Sequence, residues 1–193
     1  MSFKDLVIKN RSYRGFDESV KITRQQLEEL VDCARLAPAA QNIQPLKYFL
    51  SCDSETNGII QPLTRWAGAL PDHNLPYEGH RPTAFIVICF DKTIGGEEPA
   101  KFMKDVGICA QTIMLAAAYQ DINGCMIGAF SAEKVAQALS LPSHLHPVLI
   151  LALGKGDEDI KIVEVQNGAT KYYRDQNDTH YVPKRSLAEE LIN

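Results

Sequence analysis

Seven consecutive apolar residues, Ala84-Phe85-Ile86-Val87-Ile88-Cys89-Phe90, limit what this chain can fold into more than any other stretch. The run is too short to cross a bilayer as a helix and has no polar face, so it reads as a strand buried on both sides. Leu46 to Ser51 alternates enough to be a second strand, and Pro147 to Leu153 is another apolar strand that ends at Gly154-Lys155-Gly156-Asp157.

Helical periods lie between these strands. Thr23 and Gln26 have the spacing of a capping box ahead of Leu27, Leu30, Val31 and Ala34, and Ala37-Pro38 stops the helix. Lys101 to Gln120 is the longest helical stretch, with Val106, Cys109, Ala110, Ile113, Met114, Ala117 and Ala118 on a face of small residues. Such a face permits close packing, including against a second copy. Residues 54–70 look helical but interrupted by Gly58 and Pro62, and 70–82 is a loop rich in breakers and a candidate lid. Asn123-Gly124 reads as a turn into Cys125–Phe130, and Ser131 caps a short helix through Leu139. Residues 155–185 are polar with little periodicity, too poor in apolar side chains for a core of their own, so they are expected to wrap their own domain or a partner's.

The 193 residues, 45% hydrophobic and 23% charged, fit one domain, or a subunit that completes its core in a dimer. A net charge of −4 gives no general attraction to nucleic acid or anionic membranes, so clustered cations must act locally. Cys33, Cys52, Cys89, Cys109 and Cys125 are widely spaced and odd in number, which reads as free thiols in a reducing cytoplasm. Neither a signal peptide nor a membrane span is expected.

The chemistry centres on Arg11-Ser12-Tyr13-Arg14, two guanidiniums and a hydroxyl within four residues. Together they can form several charge-assisted bonds to one anion, each worth about 1.5–3 kcal/mol, although alone the cluster also fits a solvated basic turn. After the first long helix comes Pro38-Ala39-Ala40-Gln41-Asn42-Ile43-Gln44-Pro45, where a stiff loop carries side-chain amides able to read the edge of a polar heterocycle. His144-x-His146 has no carboxylate or thiol nearby in sequence and reads as a loop before a strand, so no metal is expected. Neither Gly-x-Ser-x-Gly nor a Gly-Lys-Ser/Thr phosphate loop occurs.

Arg11-Ser12-x-Arg14, then Ala37-Pro38 through Asn42-x-Gln44-Pro45, then Gly124-Cys125-Met126-Ile127-Gly128-Ala129-Phe130, then Pro183-Lys184-Arg185, together resemble the flavin-dependent nitroreductase family in order and coverage. The resemblance implies an α+β fold with a mostly antiparallel central sheet flanked by helices, in an intertwined homodimer with FMN at the subunit interface. It implies a single domain over 1–193, with 155–193 as an extension wrapping the partner. Arg11 and Ser12 would contact the FMN phosphate and ribityl end, and Arg14 the ring near N1 and O2, where a fixed charge favours the reduced anion. Pro38, Ala39, Ala40, Asn42 and Gln44 would lie along the flavin, with Asn42 and Gln44 reaching the partner subunit's FMN; Gly128 and Ala129 would approach N5, and Ile127 beside them would also bind the cofactor. Lys184 and Arg185, the latter more strongly, would complete the phosphate site. NADH or NADPH would be the reductant, and a nitroaromatic, a quinone or a similar electron-poor molecule the acceptor. An FMN-binding or storage protein and a reductive dehalogenase-like or flavin-fragmenting relative are the alternatives. Asn10, Ala39, Leu46 and Gly154-Lys155-Gly156 depart from the family's usual residues, which bears on FMN affinity.

Overall fold

The computed structural model describes residues 1–192; Asn193 lies outside them. In chain order come helix α1 (Phe3–Lys9), the short strand β1 (Phe16–Asp17), α2 (Arg24–Arg35), β2 (Leu46–Ser51) and α3 (Ser54–Ile60). Strand β3 (Ala84–Asp91) leads through a single turn, α4 (Lys92–Gly95), to the long helix α5 (Met103–Tyr119). Next are β4 (Asn123–Ile127), α6 (Ala132–Ala138) and β5 (Leu145–Gly156). The remainder forms β6 (Ile160–Glu164), β7 (Tyr173–Arg174), β8 (His180–Lys184) and the terminal turn α7 (Leu187–Glu190).

The main sheet runs β1-β5-β3-β2 with β4 also on β5, and every pairing in it is antiparallel. All eight residues of β3 are buried, because the strand has neighbours along both edges and helices over both faces. Its side chains alternate between two cores. Ile86 and Ile88 pack with Leu27 and Leu30 of α2 and with Ala110, Ile113 and Ala117 of α5. Phe85, Val87 and Cys89 face the other way, toward Ile60 of α3 and Val135 of α6. The period of two thus sorts one apolar run into two hydrophobic layers.

Local signals account for most boundaries. Thr23 Oγ1 accepts the Gln26 N–H and the Gln26 side chain accepts the Thr23 N–H at 2.9 Å, closing the capping box of α2. Asp53 and Ser131 cap α3 and α6 in the same way from one side. Gly58, expected to interrupt its segment, sits inside α3, where it faces open space and costs only propensity; Pro62 instead enters a 3₁₀ turn, Gln61–Leu63.

The turn expected at Asn123-Gly124 lies two residues earlier, at Asp121, whose φ is 59°. Asn123 and Gly124 already belong to β4. Glycine is needed at 124 for closeness rather than for turning: a Cβ there would stand 2.4 Å from the Ala152 carbonyl oxygen on β5.

The polar tail is more ordered than its sequence suggests. Strands β6, β8 and β7 form a small sheet in which β6 and β8 run parallel. Polar contacts replace a core there: the Asp175 carboxylate accepts the Asn177 and Thr179 N–H groups and the Tyr181 hydroxyl, and the Tyr173 and Tyr181 rings stack at 5.0 Å. A buried pair of Arg174 and Glu158 ties this sheet to the end of β5.

Candidate functional site

The segment after α1 is pinned to β4, since the Tyr13 N–H donates to the Gly124 carbonyl at 2.9 Å and Ser12 bridges Gly124 in parallel. This places Arg11, Ser12 and Arg14 along one wall of a cleft of about 320 Å³, with Gln111 and Met114 of α5 and Met126 of β4 beside them. Tyr172, His180, Val182 and Lys184 of the tail complete the lining. Three cationic side chains share the cleft, and none of its lining residues is a carboxylate.

Arg14 is 9% exposed, yet its guanidinium makes one hydrogen bond, from Nη1 to the Ser12 carbonyl at 3.2 Å, and no ion pair among the described residues. Its charge lies over the Tyr172 ring, 4.8 Å from the centroid, where a cation–π contact offsets part of the desolvation. The Arg14 backbone N–H donates to Glu158 Oε2. Arg11 is half-buried; Nη2 donates to the Val7 carbonyl at 2.8 Å, and its Nε is buried with no partner. Burial lowers the Arg11 pKa from its usual value and raises that of Tyr13 beside it. A buried guanidinium without a counter-ion is costly unless an anion joins it, so this cleft suits an anionic ligand.

His180 is 1% exposed and both of its ring nitrogens lack partners. Burial first, then the charges of Arg14 and Arg174, push its pKa down to about 4, so at neutral pH the ring adds no charge. Cys125 is buried behind the Arg11–Arg14 segment, and burial raises its thiol pKa against the opposing influence of Arg14. It stays a protonated core thiol.

The other expected site residues lie elsewhere. Pro38, Ala40, Asn42 and Gln44 are exposed, Ala39 is half-buried, and Ala39 and Gln44 line a different, smaller cleft of about 180 Å³. The buried Asp105 carboxylate on α5 accepts the Ala40 N–H at 3.0 Å and anchors this loop. Gln41, Asn42 and Gln44 have φ of 51°, 55° and 55°, three left-handed non-glycine residues within four positions. Backbone held in that region is strained and concentrates where geometry is functionally required. The Gln44 side chain bonds only to backbone, Nε2 donating to the Asn42 main-chain carbonyl at 3.0 Å, and the Asn42 side-chain amide makes no hydrogen bond among the described residues.

Gly128 and Ala129 are exposed and line a third cleft with Arg65 and Lys134. Ile127 does not reach any of these clefts: its side chain is 4% exposed and packs in the α3/α6 core layer, because it is the last inward position of β4. Both Lys184 and Arg185 are exposed, but only Lys184 lines the cation cleft, whereas Arg185, the next residue along, pairs with Glu189 at 3.5 Å. Strand alternation explains the division, since successive side chains of β8 and its extension point to opposite sides. Tyr172 and His180 were missed from sequence. Only their distance along the chain from Arg14 separated them from it, and no local pattern signals that contact.

Among the described residues no helix is long and apolar enough to cross a membrane, and no cluster of three or more metal-ligating side chains occurs.

The family model for the nitroreductase family matches residues 7–155. A Bacillus subtilis protein described as a candidate NAD(P)H nitroreductase, YdgI, is 22% identical, with 81% of this chain and 90% of the relative covered. A nitroreductase family protein from Streptococcus pneumoniae superposes with a TM-score of 0.70 at 18% identity, over 100% of this chain and 99% of its own. A candidate nitroreductase from Exiguobacterium sibiricum, solved in complex with FMN, superposes with a TM-score of 0.66 at 20% identity, over 82% and 90% of the two chains. These superpositions agree with the mixed fold of helices around an antiparallel sheet, and with the family model matching most of its length, the chain belongs to the nitroreductase family.

Proposed function

We propose that the protein is an FMN-dependent oxidoreductase that passes a hydride from NADH or NADPH to a nitroaromatic, a quinone or a similar electron-poor acceptor. One observation carries this reading: Arg14 is buried without a counter-ion in a cleft with Arg11 and Lys184 and no carboxylate, in a chain whose net charge is −4. The unpaired Arg11 Nε, the Ser12 hydroxyl and the Lys184 ammonium fit the phosphate and ribityl end of FMN. Bound FMN would supply the redox chemistry, taking up and giving out electrons that no side chain of the site can carry.

The chain's own contribution is placement and electrostatics. Arg14, held by Ser12 and Tyr172, would present a fixed positive charge to the ring edge, favouring negative charge there without reorganisation. Gly128 and Ala129 leave backbone N–H groups approachable, because neither side chain blocks them.

Asn42 and Gln44 lie outside the cation cleft of their own chain, and their loop is exposed and strained. A homodimer in which this loop covers the FMN of the other copy accounts for both features. The exposed Phe3, Leu36 and Tyr119, at 71%, 69% and 72%, would be covered in it, and Leu187 and Leu191 at the end of the tail, at 73% and 56%, would wrap the partner. A cytoplasmic location suits the free thiols.

The test is the absorbance spectrum of purified protein, followed by mixing with NADH or NADPH and a quinone. Yellow protein whose flavin bleaches and then recovers with acceptor is expected. Colourless protein that FMN cannot reconstitute would refute the assignment, and bound FMN that neither nicotinamide bleaches would leave a binding protein.

A further inference from the structure

A cavity of about 790 Å³, larger than the cation cleft, shares no lining residue with it. It lies between the Gln61–Trp66 segment after α3 and the 74–83 stretch of the breaker-rich loop, with Phe85 of β3 among its lining residues. Its volume is in the range of small-molecule sites.

Two features mark it as a binding site rather than a packing fault. Gln61 lines the cavity, and its side-chain amide makes no hydrogen bond among the described residues; Oε1 is turned into the wall without a partner, and rotating the amide over presents that free acceptor to the cavity. Trp66, the chain's one tryptophan, is fixed at its polar edge: Nε1 donates to Thr64 Oγ1 at 2.8 Å, and Thr64 Oγ1 donates to the Gln61 carbonyl at 2.7 Å. The edge of the indole needs nothing more, so the ring offers its apolar surface. Phe16 packs near it edge-on at 6.5 Å.

The charges at this cavity define the rest of the ligand. Lys21 and Arg81 are exposed lining residues and neither makes an ion pair among the described residues. Glu18, the one carboxylate in the lining, is engaged by the Arg81 backbone N–H at 2.7 Å. We propose that this cavity binds an aromatic carboxylate with a hydroxyl or amine distal to the acid: the ring against Trp66, the acid at Lys21 and Arg81, and the distal polar group on Gln61. The site is separate from the flavin reading and does not depend on it.

The probes are 6-hydroxy-2-naphthoate and 2-naphthoate, titrated calorimetrically into the full chain with and without saturating FMN, while Trp66 fluorescence reports where they bind. The hydroxy compound is expected to bind about tenfold more tightly, as one buried hydrogen bond would require, with Trp66 emission changing and FMN not competing. Gln61→Met should bring the two affinities together. Lys21→Ala with Arg81→Ala should weaken both probes by a similar factor, about threefold to tenfold. Equal affinity of the two probes for the unaltered protein, unchanged Trp66 emission, or displacement by FMN would each overturn the proposal. The comparison of probes on the unaltered protein decides the matter even if Gln61→Met fails to fold.

Discussion

Glu158→Gln is expected to cost about 3 kcal/mol, and the reason lies in what the carboxylate holds. Glu158 and Arg174 have side chains only 5% and 1% exposed, and they face each other across the start of the polar tail. Breaking a buried ion pair from one side leaves an uncompensated charge and typically costs about 3–5 kcal/mol. The lower end applies, because Arg174 Nη1 keeps a bond to Asp178 at 2.9 Å and that carboxylate is about half exposed. Replacing both partners, Glu158→Leu with Arg174→Met, removes the buried charges together. That variant should lie within about 1–2 kcal/mol of the parent, the residue being the Arg14 N–H that loses its acceptor. The assay is urea denaturation followed by circular dichroism at neutral pH and fixed protein concentration, since association would shift the apparent stability. In thermal melts the single variant should fall by about 6–12 °C, at about 2–4 °C per kcal/mol for a chain of this size. A Glu158→Gln protein within 1 kcal/mol of the parent, or a double-variant cycle that is simply additive, would refute the reasoning.

His180 gives a pH dependence of definite sign. Its folded pKa is near 4 against an ordinary 6.5, so the unfolded chain binds the extra proton; stability is complete above about pH 6.5 and is lost as pH falls toward 4. The slope reaches about 1.4 kcal/mol per pH unit, and denaturation of His180→Phe across that window should show a flatter profile than the parent. On the FMN reading, Lys184→Ala should weaken FMN binding about tenfold or more while Arg185→Ala changes it less than twofold, because only Lys184 lines the cation cleft. Equal effects in a fluorescence titration would remove Lys184 from the site. Gly124→Ala forces a Cβ against the Ala152 carbonyl and Leu153, so a loss of about 1–3 kcal/mol is expected in thermal melts. Because Gly124 also anchors Ser12 and Tyr13, FMN affinity should fall with it, and an unaffected affinity would separate the cleft from that strand pairing.

Local chemistry carried much of the fold. The capping box at Thr23, the stop at Pro38, the apolar run of β3 and the Ser131 cap each act within a few residues, and each stands where periodicity places it. The same holds for the Arg11–Arg14 cluster and the Asn42/Gln44 loop, recognisable because charge and amide chemistry are written directly in side chains. What sequence alone misjudged were features set by distant neighbours. Gly124 reads as a turn, but the approach of Ala152 some 28 positions away makes it a strand residue. The tail looks structureless, but Arg174 and Glu158 fold it into a sheet of polar contacts. Lys184 and Arg185 are adjacent and chemically alike, so only the facing of β8 could send one into the cleft and the other to Glu189. Local sequence was enough for β2, β3 and the apolar part of β5, for the helix caps, and for the inventory of cations and amides. The tertiary structure decided which cations converge, that Arg14 is buried without a counter-ion, and that the amide loop stands apart from it. Those are properties of burial and distance, and they arise from contacts between residues far apart along the chain.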